Sequence, residues 1–380
     1  HTHTHTKIMA DPKGEETGKE EHSGAEAEPT TAAGMMAAMA RHGDGTNVMK
    51  ESIQTFSNVD GIDRKGDVMV PATDMGQARA SIGAMLEEAR AKADGKKKEK
   101  KKKKKKEKEE GEGKAGAGAG GEDMWDFGAT PFSEFGRTLD DLLGAFLLWA
   151  RTGGEEEEED EGDDAAASSP DRQINVTKAF RRLENYAEWM QDTSEELTAE
   201  PLTAASVRDD LEPWKMSTSP DRRGRLVWWI DLGQMDVARV KEQSPAGVLR
   251  AFVWYAHYVL FDERAQTRGM VFMENCAEMG FIQSITLVPM SVGTKLDRLT
   301  MGVLPIKMKA LYIFEVAMWM SLFMKMAGMF MSNKMKERIL ICDDYSGVEE
   351  IVALEHIPKG FGTLQGGMEK DEAETKYLGK

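Results

Sequence analysis

GVLPIKMKALYIFEVAMWMSLFMKMAGMFMSNKMKERILICDDYSGVEEIVALEHIPKGFGTLQGG, residues 302–367, decides the fold. A Pro and two lysines lead into an apolar strand-like run, Leu311–Phe314. A Met-rich segment, 317–331, follows, then a basic turn, 333–338, and a second strand-like run, 339–342. In the Met-rich segment Ser321, Lys325, Gly328 and Ser332 fall on one narrow helical stripe, and the rest of the circumference is apolar. That apolar arc exceeds the ~100° of a surface helix, so the segment meets apolar matter on two sides. Three readings fit: a buried core helix, a membrane span, or the lid of an apolar ligand pocket. Glu315 and Lys325 weigh against a span, each costing about 2.5–3.5 kcal/mol at mid-bilayer.

The chain has 380 residues, a formal charge of -16 and 40% hydrophobic residues, enough for one sizeable domain and much besides. It opens HTHTHT with no signal-like apolar run, which reads as cytoplasmic. Cys276 and Cys342 are the only cysteines and read as reduced structural thiols. Residues 1–122 are poor in aromatics and read as a disordered charged tail. Within it Ala78–Ala93 could form a marginal isolated helix, and the polylysine run Lys96–Lys108 could be a solvated tail or attract an anionic membrane, nucleic acid or a nuclear import receptor. No aromatics interleave those lysines, which argues against nucleic acid.

Residues 123–200 read as an N-terminal helical unit. Phe132–Ala150, with Ser133 as candidate cap, and Val176–Met190 each carry an apolar face, and the acidic run Glu155–Asp164 is a solvated insertion between them. From Arg225 the pattern becomes α/β. Strands are expected at 226–232, 270–274, 309–314 and 338–342, with helices at 246–264, 282–299, 317–331 and 347–354. Strands alternating with helices predict a mostly parallel sheet flanked by helices. The main lobe spans 201–370, and 371–380 is a short tail.

Chemistry-bearing residues are sparse. His257 sits among Trp254, Tyr258 and Phe261 as a packed histidine, and neither it nor His356 lies in a nucleophile arrangement. Asp343-Asp344 and Asp209-Asp210 lack further ligands at metal spacing, His1, His3 and His5 lack a fold to fix them, and no phosphate-cradling glycine loop appears. The expectation is a protein that is not an enzyme, with no metal and no cofactor.

The order of elements resembles the CRAL-TRIO family, the lipid-binding module of retinaldehyde-, tocopherol- and phosphatidylinositol-transfer proteins. Pro305, Lys307 and Lys309 resemble its basic lead into a strand, and 317–331 its gate helix. Lys334 and Arg338-Ile339 resemble its turn into the last strand, and Pro358–Gly362 its closing motif. Asp221–Val227 (DRRGRLV) resembles its Asp-x-x-Gly-Arg-Pro-Val lead-in, with Leu226 for Pro; Phe146–Gly154 and Val176–Met190 resemble the halves of its N-terminal helical unit. The resemblance covers roughly 135–367. Glu315-Val316-Ala317 replaces the usual Asn-x-Pro and Met329-Phe330-Met331 the usual Pro-Phe-Leu; Thr267 and Ala310 stand where phosphatidylinositol-holding branches carry Glu and Lys.

The resemblance implies an apolar pocket taking a lipid chain out of water, each buried CH₂ contributing about 0.8 kcal/mol. Trp319, Leu322, Phe323, Met326 and Met329 are the expected lid residues, and Phe272, Leu311 and Ile313 the floor. Lys307, Lys309, Lys325, Lys334, Lys336 and Arg338 are the expected headgroup or membrane contacts. The ligand class stays open among phospholipid, sterol, retinoid and tocopherol. The expected carrier is a monomer, peripheral and transient at membranes; the alternative is a scaffold recruiting partners through its charged segments.

Overall fold

The computed structural model describes residues 66–109, 124–152, 172–277, 279–280, 287–318 and 333–378. The readings of 1–65 and 110–122 as a tail and of Glu155–Asp164 as an insertion lie outside the described residues, as does most of the Met-rich segment. The chain divides into two compact units. One comprises Gly61–Leu202 with Val303–Pro305; the other takes in Thr203–Gly302 and Ile306–Lys380.

The first unit joins β1 (Met69–Pro71), α1 (Met75–Glu109), α2 (Phe132–Phe135), α3 (Leu139–Trp149), β2 (Arg151–Thr152), β3 (Gln173–Asn175), α4 (Val176–Asp192) and α5 (Ser194–Leu197). Helices α1, α3 and α4 pack together, and β1, β3 and β2 form a small antiparallel sheet in that order. The stretch Ala78–Ala93, expected to stand alone, has partners. Ala78, Ile82 and Leu86, spaced at helical intervals, are buried. The expected cap Ser133 serves no long helix, because Gly136 takes a left-handed conformation (φ 61°) and ends α2. Thr138 starts α3 instead, in a reciprocal capping box with Asp141. Arg182, buried, stacks its guanidinium 4.3 Å from the Trp149 ring and donates to the Leu304 carbonyl at 2.7 Å, fixing the segment 303–305 within this unit.

The second unit contains α6 (Ala204–Leu211), β4 (Met216–Pro220), β5 (Leu226–Asp231), α7 (Val237–Glu242), α8 (Pro245–Leu260), α9 (Glu263–Thr267), β6 (Met270–Asn275), α10 (Met290–Asp297), β7 (Met308–Phe314), α11 (Asn333–Arg338), β8 (Ile339–Cys342) and α12 (Val348–Ile351). Its sheet runs β4-β5-β6-β7-β8, with β4 antiparallel to β5 and the rest parallel, the expected α/β class. Helix α8, started by the Ser244 side chain with Pro245 at its first position, is buried almost all round and packs on α6 and α10. His257 on it is fully buried; its Nδ1 lies 2.7 Å from the Val253 carbonyl, and burial lowers its pKa to about 4, keeping it neutral.

Strands alternate side chains between two faces. One face, bearing Val227, Trp229, Val271, Met273, Ala310 and Phe314, closes a dry cluster with Tyr345, Val348, Val352, Ile357 and Phe361. The terminal residues from 371 onward, expected as a tail, belong to this unit. The buried Asp371 carboxylate accepts from Thr218 N at 2.8 Å, Thr218 Oγ1 at 3.2 Å and Tyr255 Oη at 3.2 Å, pinning the chain to the outer side of β4. Desolvation still pushes its pKa up against these bonds.

Candidate functional site

The opposite sheet face is the candidate site. Parallel register sets two transverse rows across four strands: Trp228, Phe272, Leu311 and Ile339, then Ile230, Glu274, Ile313 and Ile341. The expected floor residues Phe272, Leu311 and Ile313 therefore meet on one surface. Phe272 stacks on Trp228 at 5.3 Å, and the ring of Tyr255 of α8 lies 5.1 Å from that of Trp228 at a tilt. Trp228, Phe272, Ile313 and Ile339 are buried, whereas Ile230, Glu274, Leu311 and Ile341 are only half-buried. The buried indole N–H of Trp228 has no hydrogen-bond partner among the described residues.

Trp228, Ile230, Glu274, Ile339 and Ile341 are not among the expected floor residues. The alternation in LVWWID and ILIC, combined with parallel register, was the signal that could have found them. Glu274 is the exception in an apolar surface, paired across the sheet with Ile230 and Ile313. Desolvation, then the charge of Asp297, push its carboxyl up to about 7, with the Cys276 thiol hydrogen bond opposing.

The expected lid residues Trp319, Leu322, Phe323, Met326 and Met329, and Lys325, lie outside the described residues, as does the side chain of Lys334. The remaining basic residues stand at the N-terminal ends of the strands. Lys336 is exposed; Lys307, Lys309 and Arg338 are half-buried. Lys309 is displaced at a register shift where Met270 pairs with Met308 and Val271 with Ala310. Arg222, Arg223, Arg225 and Arg268 share this edge. Asp221 organises it: its carboxylate accepts from Arg223 N and Arg225 N at 2.9 and 2.7 Å and pairs with Arg225 Nε at 2.6 Å. Gly224 has φ 72°, and a Cβ there would meet the guanidinium of Arg268, which itself donates to the Arg223 carbonyl at 3.0 Å.

At the other end, a cleft of about 450 Å³ opens beyond the C-terminal ends of β6, β7 and β8, where open α/β sheets receive ligands. Cys276, Met279, Gly280, Glu315, Val316, Ala317, Cys342 and Asp343 line it. Glu315 takes φ 52°, a left-handed conformation that suits Asn better than Glu. Behind the cleft, Asn275 donates to Asp231 at 2.7 Å and accepts from Tyr345 Oη at 2.8 Å, a buried polar network.

Both thiols are free. Cys276 follows the β6 residue level with Cys342, two strands away, and alternation places the two on opposite faces, about 10 Å apart by strand spacing. That separation exceeds disulfide reach. Burial, reinforced by Glu274, pushes the Cys276 thiol up; burial, then Asp343 and Asp344, push Cys342 up to about 11. Native protein is expected to react with a thiol reagent at pH 8 at least about tenfold more slowly than an unperturbed thiol, and denatured protein with two equivalents. Fast native labelling of both sites would contradict this geometry.

Among the described residues no group of three or more His, Cys, Asp or Glu could hold a metal, and no helix is long and apolar enough to cross a membrane. No curated protein matches the chain. Among solved structures it is similar to one described as the crystal structure of Sfh5, at 10% identity over 53% of this chain and 70% of that one, with a TM-score of 0.36, a likeness too loose to carry an argument. Residues 216–362, which include the whole five-stranded sheet, match the family model described as the CRAL/TRIO domain. Residues 216–362 are therefore a CRAL/TRIO domain.

Proposed function

We propose that the sheet face bearing Phe272, Leu311 and Ile313 is the floor of a pocket for an apolar lipid. In this reading the Met-rich segment closes the pocket, and the protein exchanges its ligand at a membrane surface without catalysing a reaction. The observation that carries it is the set of half-buried apolar positions, drawn from both rows, on the face that the dry cluster does not use. Ile230, Leu311 and Ile341 leave hydrocarbon open beside buried aromatics. A chain of about fifteen buried CH₂ groups would gain about 12 kcal/mol there, before the costs of association. The Trp228 N–H, without a partner among the described residues, favours a ligand with a hydrogen-bond acceptor at that end. Unbranched Met side chains in the closing segment suit varied ligand shapes.

Native mass spectrometry of the full chain, purified without detergent and followed by lipid extraction, tests the reading. A stoichiometric copurified lipid supports it. Leu311→Glu places a charge in the middle of the floor and is expected to reduce lipid loading at least about a hundredfold, the order set by burying an unpaired carboxylate. Its circular dichroism should match that of the parent. A folded parent that neither carries lipid nor takes it from vesicles would favour the scaffold reading instead.

A further inference from the structure

Helix α1 continues past the unit that anchors it. Its first turns are held by the buried Ala78, Ile82 and Leu86, by an ion pair between Arg79 and Asp140, and by Arg90, whose guanidinium donates to the Trp125 carbonyl at 3.3 Å. Beyond Arg90 the helix surfaces: Asp94, Gly95, Lys98 and Glu99 are exposed, and the helical backbone runs on to Glu109. Eleven of the thirteen residues from 96 to 108 are lysine. At 1.5 Å per residue they make a cationic rod about 20 Å long. Lysines three and four apart repel one another, so this stretch would not nucleate a helix alone; it extends one already started by packed turns.

We propose that this lysine helix is a docking rod for an anionic membrane surface, presented in line with the packed part of α1 rather than on a loose tail. The run is rich in Lys and has no Arg, and so lacks the planar fork that pairs bidentately with phosphate and guanine. It carries no aromatic, Asn or Gln to stack on or read a base. Compact ammonium charges on flexible stems suit the laterally mobile headgroups of a bilayer, and residues 216–362 match the CRAL/TRIO domain, whose family binds lipids. This attachment is independent of the pocket: it needs no bound ligand.

The test is co-sedimentation of the full chain, at physiological ionic strength, with phosphatidylcholine vesicles containing or lacking phosphatidylserine. Binding is expected only with phosphatidylserine, with a loss as salt rises. Each neutralised lysine near the surface should lower partitioning about fivefold, so K102Q/K103Q/K104Q/K105Q together should lower it by two orders of magnitude or more. These positions lie beyond the packed turns, so the variant should unfold at the parent temperature. Leu311→Glu should bind vesicles like the parent, which separates this inference from the carrier reading. No binding to phosphatidylserine vesicles, equal binding to neutral ones, retention by the quadruple variant, or displacement onto RNA added at equal charge would each overturn the proposal.

Discussion

Replacing Gly362 by Ala is expected to cost about 2–5 kcal/mol of stability, read as a fall in the urea midpoint of the full chain. Gly362 has φ 53°, where an L side chain costs about 1–2 kcal/mol. The larger part is steric. A Cβ at this position would run into the ring of Tyr345, which is itself stacked on Phe314 at 5.0 Å and cannot swing aside without opening the dry cluster. Tyr345 Oη also donates to Asn275, and Asn275 to Asp231, so displacing the ring leaves buried polar groups without partners at about 1–3 kcal/mol each. Tyr345→Phe removes the hydroxyl and leaves the ring, so it should cost only about 1–2 kcal/mol. If Gly362→Ala were no worse than Tyr345→Phe, the collision would not be the main cost.

Stability should fall as pH rises from about 5 to 8, and Glu274→Gln should flatten part of that fall. The folded-state carboxyl of Glu274 is raised to about 7, above the ordinary 4.5 of the unfolded chain. Between those values the native state binds more protons than the unfolded one, so stability decreases with pH. The contribution is fully present below about 4.5 and is lost as pH passes through about 7. Its size is at most about 3 kcal/mol. Other carboxyls whose pKa values are raised, Asp231 and Asp371 among them, titrate in parent and variant alike, so the difference between the two chains isolates Glu274. Thermal midpoints at pH 5 and pH 8 measure it; equal pH dependence in both chains would remove Glu274 from the account.

The fold was legible where apolar patterning did the work. LVWWID, MVFMEN and ALYIF are short, apolar and separated by helical patterns, and they became β5, β6 and β7. Strand β4 was not legible. Its MSTSP is polar and ends in Pro, and it is a strand only because β5 offers a partner and Ser219 Oγ accepts from the Trp229 indole at 2.8 Å. Helix α1 misled for a different reason. Among its described side chains the buried stripe is Ala78, Ile82 and Leu86, too thin to outweigh the lysines that follow, and the helices it packs on begin more than fifty residues downstream of that stripe. The floor was half legible. Phe272, Leu311 and Ile313 announced themselves as apolar strand residues, but Glu274 and Ile341 join them only through the strand register, which no local pattern states.

The Asp371 carboxylate occupies the place that another strand would take beside β4. An open sheet edge offers unpaired amides as a template, and one copy of a protein can add its own strand there to begin a polymer. At the midpoint of β4 the outward amide of Thr218 is already engaged by a side chain, which cannot pass the bond on to a further strand. What reads in the sequence as a trailing segment thus takes the place of a further strand at the middle of this edge.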